Sequence, residues 1–138
     1  MAGWGTGSFE NEDAQNFLGR LNSMGIDDLR LLLARAADQD DYLEAMDSSI
    51  AVAAAEVVAA LVAANDGALS APRQIVDWTS KNKAGAPPDL VELARRAVER
   101  VRTNSELKDL WLEADGLNEW SAALRELKER LTGCEGIG

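Results

Sequence analysis

The segment 49–64 limits the possible folds more than any other part of the chain. It reads Ser-Ile-Ala-Val-Ala-Ala-Ala-Glu-Val-Val-Ala-Ala-Leu-Val-Ala-Ala, so a helix built from it is apolar on every side except at Glu56. Such a helix has no face to give to water and must be surrounded by other elements. Its many alanines let neighbouring helices approach closely. The segment therefore predicts a central post, ended by Asn65-Asp66-Gly67, where glycine suits a helix stop. The stretch 50–64 is alanine-rich and interrupted by Glu56, and it reads as too short and too weakly hydrophobic to cross a bilayer.

The flanking sequence supplies shorter helices with one apolar stripe each. Asn11 suits the cap of a helix over 12–22, with Glu12 and Asp13 in its first turn and Ala14, Phe17, Leu18 and Leu21 at i, i+3, i+4 and i+7. A second helix, to about 38, is expected to start with Asp27 or Asp28 at its cap and to bury Leu29, Leu32, Leu33 and Ala36. The acidic run 38–47 reads as a turn into the central helix. Pro72, with Ser70 as cap, suits the start of a fourth helix contributing Ile75, Val76 and Trp78. Residues 80–88 hold Gly85 and a Pro-Pro pair and read as a loop. A fifth helix over 88–103 carries Leu90, Leu93, Ala94, Ala97, Val98 and Val101, with Arg95, Arg96, Glu99 and Arg102 outward. Ser105 opens a sixth over 106–114, with Leu107, Leu110, Trp111 and Ala114 on one face and Glu106, Asp109 and Glu113 on the other. Asp115-Gly116 breaks it. The last helix begins near Asn118, buries Trp120, Leu124, Leu127 and Leu131, and is expected to end at Gly133. No segment alternates with period two. The expected fold is all-α: one domain over 1–138, with six or seven short helices around the apolar one. An extended glycine-rich arm over 1–10 and a flexible tail over 133–138 flank it.

Composition narrows the chemistry. The formal charge is -10, from 24 acidic and 14 basic residues. That field disfavours nucleic acid and anionic membranes and suits a basic partner. Histidine is absent and Cys134 is the single cysteine, so a Ser-His-Asp or Cys-His site and a Cys/His zinc site are excluded within this chain. No metal or other cofactor is expected. The N-terminal sequence lacks a charged start followed by an apolar run, so a signal peptide is not expected and the location is expected to be cytoplasmic.

Four features invite a functional reading. Glu56, a carboxylate in an alanine–valine helix, is either an acid or ligand with a raised pKa, or simply paired with arm N–H groups or an arginine. The Gly3-x-Gly5-x-Gly7 arm is either an anion nest or a strap plugged by Trp4 and Phe9. The acidic run from Asp38 to Asp47 fails the calcium-loop template, because Tyr42 and Leu43 stand where an oxygen ligand and glycine belong, and a solvated turn is expected. Glu106, Asp109 and Glu113 form a carboxylate stripe or an ordinary wet face.

The opening Trp4-Gly-Thr-Gly-Ser-Phe-Glu-Asn11, with Asp13-Ala14 and Phe17-Leu18, resembles the start of the bacterial domain-of-unknown-function family 4259. Tyr42-Leu-Glu-Ala45 and Ala53-Ala-Ala-Glu-Val-Val-Ala59 resemble its middle. Ser105-Glu-Leu, Leu110-Trp111, Glu113, Trp120 and Arg130-Leu131 resemble its C-terminal part. Asn11-Glu12-Asp13 departs from the Asn-Asp expected there. The resemblance implies a small, stand-alone, cytoplasmic, helical bacterial protein. It also picks out Trp4, Asn11, Asp13, Glu56, Trp111 and Glu113 as binding candidates.

The leading expectation is a non-enzymatic interaction protein that masks a basic protein partner, in the manner of an immunity protein or antitoxin. The alternative is a carboxylate-based enzyme in which Glu56, with Asp13 or Glu113, binds a metal ion or acts in acid–base chemistry while the arm holds an anion. A third is a self-associating structural protein.

Overall fold

The computed structural model describes residues 12–38, 41–64, 73–82 and 85–136. Among them lie seven α-helices and no strand: α1 (Glu12–Arg20), α2 (Ile26–Ala37), α3 (Ala45–Ala64), α4 (Arg73–Lys81), α5 (Pro88–Thr103), α6 (Glu106–Glu113) and α7 (Leu117–Gly136). A single 3-10 turn, Leu21–Ser23, follows α1. The 1–10 arm, Asn11 and Ser70-Ala71-Pro72 lie outside the described residues.

α3 is the central post that its sequence demands. It packs against all six other α-helices. Ala51 through Ala55 and Val57 through Leu61 are all buried, leaving Glu56 the only residue of that run with appreciable exposure. The partners bury most of the stripes expected of them: Ala14, Phe17 and Leu18 on α1, Leu29, Leu33 and Ala36 on α2, Leu90, Ala94, Ala97, Val98 and Val101 on α5, and Trp120, Leu124, Leu127 and Leu131 on α7, while Leu32 and Leu93 are half-buried. Trp78 on α4 is buried, and its indole N–H donates to the Met24 carbonyl at 2.8 Å. That bond satisfies the one polar atom a core tryptophan carries.

Several local expectations are corrected. α3 begins at Ala45, a turn earlier than 49. Its first N–H groups gain partners the sequence does not display: Glu106, 61 positions away, accepts from the Ala45 N–H at 2.8 Å. The longer helix removes the length argument against a bilayer span, since Ala45–Val62 has mean hydropathy 1.7 and suffices in length and composition. Burial of 67% of that window inside the fold is the mark of a core helix. α2 is capped by Gly25, not by Asp27 or Asp28; Asp28 instead reaches back to accept from the Gly25 N–H at 2.8 Å. Val76 is exposed while Ile75 and Trp78 on the same helix are buried, because α4 presents only a narrow edge to the core.

α6 buries no side chain fully. Leu107 and Trp111 are half-buried, while Leu110 and Ala114 face solvent. Its C-terminus is a Schellman closure: the Gly116 N–H donates to the Trp111 carbonyl and the Asp115 N–H to that of Leu112. Asp115, not glycine, takes the left-handed position, with φ 62°. Gly116 is needed for space, since a Cβ there would stand 2.7 Å from the Trp111 ring. At the other end of the chain, α7 runs through Gly133 to Gly136. A glycine inside a helix costs only about 1 kcal/mol, too little to stop a long packed helix by itself.

Candidate functional site

Glu56 sits midway along α3 with its side chain 14% exposed. Arg130 of α7 clasps it bidentately, Nη1 to Oε1 at 2.7 Å and Nη2 to Oε2 at 2.9 Å. The Arg130 Nε turns to Glu126, 2.9 Å from each carboxylate oxygen. The guanidinium is thus shared between two carboxylates, and its hydrogen bonds to Glu56 hold its pKa above the usual arginine range. A carboxylate held by a two-pronged cation is a structural clamp.

Glu113 is exposed at the end of α6, just before α7 starts at Leu117. Arg130 lies thirteen residues further along α7, which is about 20 Å of helix. Glu56 and Glu113 are therefore at opposite ends of α7 and do not form a common site. Asp13 is half-buried in the first turn of α1, where the helix dipole favours its charge. Trp111 is half-buried, its ring against Gly116. Trp4 and Asn11 lie outside the described residues. Among the described residues no group of three His, Cys, Asp or Glu side chains is arranged to hold a metal ion.

The geometry instead joins the two acidic segments. The Tyr42 hydroxyl donates to the Asp109 carboxylate across 67 positions. The Glu106 N–H donates to the Leu43 carbonyl at 2.8 Å, while its carboxylate caps α3. On α6, Glu106, Asp109, Leu110 and Glu113 recur at helical spacing on one face, and Tyr42 extends that face from the turn before α3 through its bond to Asp109. Asp109, by accepting the phenolic hydrogen bond, raises the Tyr42 pKa from 10.0 to about 12, and the charges of Glu106 and Glu113 add to the effect. The carboxylate stripe is legible from its spacing; the lone tyrosine beside the acidic turn is the signal that sequence reading passed over.

The acidic turn itself is tied down from the other side. Arg96 pairs with Asp38 at 2.5 Å, and Arg100, one turn along α5, donates to the Asp41 carbonyl at 2.7 Å. Between those two arginines on α5, Glu99 accepts from Arg102 at 2.7 Å and from Lys128 of α7 at 2.9 Å. The hydrogen bond from Arg102 leads in holding its carboxyl down at about 2.

No curated protein and no solved structure matches the chain. A family model described as Domain of unknown function (DUF4259) matches residues 3–123. That span includes Glu56, Tyr42 and the whole of α6, and it stops short of Arg130. With most of its 138 residues matched, the chain belongs to the DUF4259 family.

Proposed function

We propose that the chain is a small cytoplasmic bacterial protein that binds a basic protein partner through the face built by α6 and the turn before α3. The observation that carries the reading is the composition of that face. Tyr42 and Leu110 are 53% and 46% exposed, Tyr42 bonded to Asp109 and Leu110 on the same helix face as Glu106, Asp109 and Glu113. Large apolar side chains within a ring of one charge sign suit a partner segment with apolar anchors and flanking lysine or arginine. The net charge of -10 adds long-range attraction for the same class of partner. An immunity protein or antitoxin, which masks a cationic surface, is the kind of role this chemistry serves.

The test compares proteins captured from the native host by the wild type and by the double variant Asp109→Lys, Glu113→Lys. The expected outcome is a stoichiometric complex with a basic protein, weakened by salt and lost in the variant. A partner retained equally by the variant, or no stoichiometric partner, overturns the reading.

A further inference from the structure

We propose that residues 106–116, α6 with the turn that closes it, form a strap that lifts off the bundle and melts as one unit while the other helices stay packed. The inference concerns the fold and holds whether or not a partner binds the α6 face.

α6 is held differently from its neighbours. It buries no side chain fully, whereas each of the other six α-helices buries at least three. Leu107 and Trp111 only half-enter the core, and Leu110 and Leu112 are exposed. A helix as short as α6 does not persist alone in water, because the cost of nucleation is not recovered. α6 therefore exists only while it is docked, so undocking and melting are one event. The chain on either side is fixed. Ser105 is buried, with its hydroxyl donating to the Val101 carbonyl at 2.7 Å, and Trp120 is buried on α7. Asp115, with φ 62°, and Gly116 supply the bend at the far end.

Polar contacts, more than apolar burial, seat the strap. Tyr42 donates its hydroxyl to Asp109, the Ala45 N–H donates to the Glu106 carboxylate at 2.8 Å, and the Glu106 N–H donates to the Leu43 carbonyl at 2.8 Å. Hydrogen bonds that water can replace hold a segment less firmly than a buried face does. The Glu56–Arg130 clasp lies far along α7 from Leu117, at about 20 Å of helix, and is not broken when the strap lifts. Lifting separates Glu106, Asp109, Leu110 and Glu113 from Tyr42, so the acidic face is whole only while the strap is seated.

The experiment follows native-state amide hydrogen exchange by NMR in the wild type, Tyr42→Phe and Arg130→Met. In the wild type the amides of 109–114 are expected to share one protection factor, at least about tenfold below that of 52–61 at the centre of α3. Tyr42→Phe removes a contact that only the seated state has, so it is expected to speed 109–114 together by about fivefold, the effect of one hydrogen bond. Arg130→Met weakens the seated and lifted states equally. It is expected to speed 52–61 by about tenfold or more, as loss of a largely buried charge partner predicts, and to leave 109–114 unchanged. If Arg130→Met speeds 109–114 as much as 52–61, α6 opens only with the whole fold. If Tyr42→Phe leaves 111–114 unchanged, α6 frays residue by residue. Either result overturns the proposal.

Discussion

Replacing Arg130 with methionine keeps most of the side chain's apolar stem and removes the two-pronged clasp on Glu56. Deleting one partner of a fully buried ion pair costs about 3–5 kcal/mol, because the other charge is left without compensation. Glu56 approaches that limit at 14% exposure, but Arg130 is 43% exposed and Glu56 has contacts beyond it. Both facts lower the figure, and about 2 kcal/mol is the expected loss. The exposed Glu126 pair, at i,i+4, adds only about 0.3–0.5 kcal/mol. With a urea slope of about 2 kcal/mol/M, the midpoint falls by roughly 1 M. Glu56→Gln keeps the shape and the N–H acceptor and loses the charge, for about 1 kcal/mol. The double variant is expected to fall short of the sum, since both singles break one interaction, with a coupling energy of about 1–2 kcal/mol. Urea unfolding of the four proteins gives that number directly. A coupling below about 0.3 kcal/mol, the usual limit for independent sites, would show that the clasp does not hold α7 to α3.

The chain has a single tyrosine, so ultraviolet absorbance of tyrosinate reports Tyr42 alone. Its midpoint is expected near 12, and Asp109→Asn moves it back toward 10.0. The folded pKa lies above the unfolded one, so the stabilisation linked to this proton is complete below pH 10 and is lost between there and about 12. An identical titration in the variant refutes the assigned hydrogen bond. Asp115 and Gly116 are predicted to respond in opposite senses. Gly116→Ala drives a methyl to 2.7 Å from the Trp111 ring and costs about 1–3 kcal/mol, whereas Asp115→Gly relieves a positive φ and is neutral or stabilising by up to about 1 kcal/mol. Urea midpoints that move the other way would overturn that division of roles.

The fold was readable in the chain because its decisive signals are local. All-round apolarity of 49–64 requires a buried axis wherever the other helices go, and the 3.6-residue stripes of α1, α2, α5 and α7 state which faces meet it. What failed was tertiary in origin. The start of α3 is not marked locally, because its cap comes from Glu106, 61 positions downstream. α6 is less buried than its stripe implies, because periodicity marks a face without saying how much neighbour is available to cover it. Leu110 lies at the edge of that face and stays wet.

The same distinction separates the two readings of the polar residues. A carboxylate inside an apolar helix announces that something must neutralise it, and Glu56 did so; the identity of the neutralising group is a fact about packing, since Arg130 lies 74 positions away on another helix. The acidic face is assembled in the same manner. Tyr42 and Asp109 are unremarkable in their own segments, and only their meeting across 67 positions makes one surface of two charge runs. Charge composition predicts attraction for a basic partner without saying where it acts. The proposed location leaves aside carboxylates that are already spent: Glu56 on Arg130, Glu99 on Arg102 and Lys128, Asp38 on Arg96. Glu113, with no cation against it among the described residues, and Glu106 and Asp109, satisfied by neutral donors, keep their negative field directed at solvent. A cation arriving at that face meets charge that no internal arginine or lysine has cancelled, and it does so beside apolar side chains that gain by being covered.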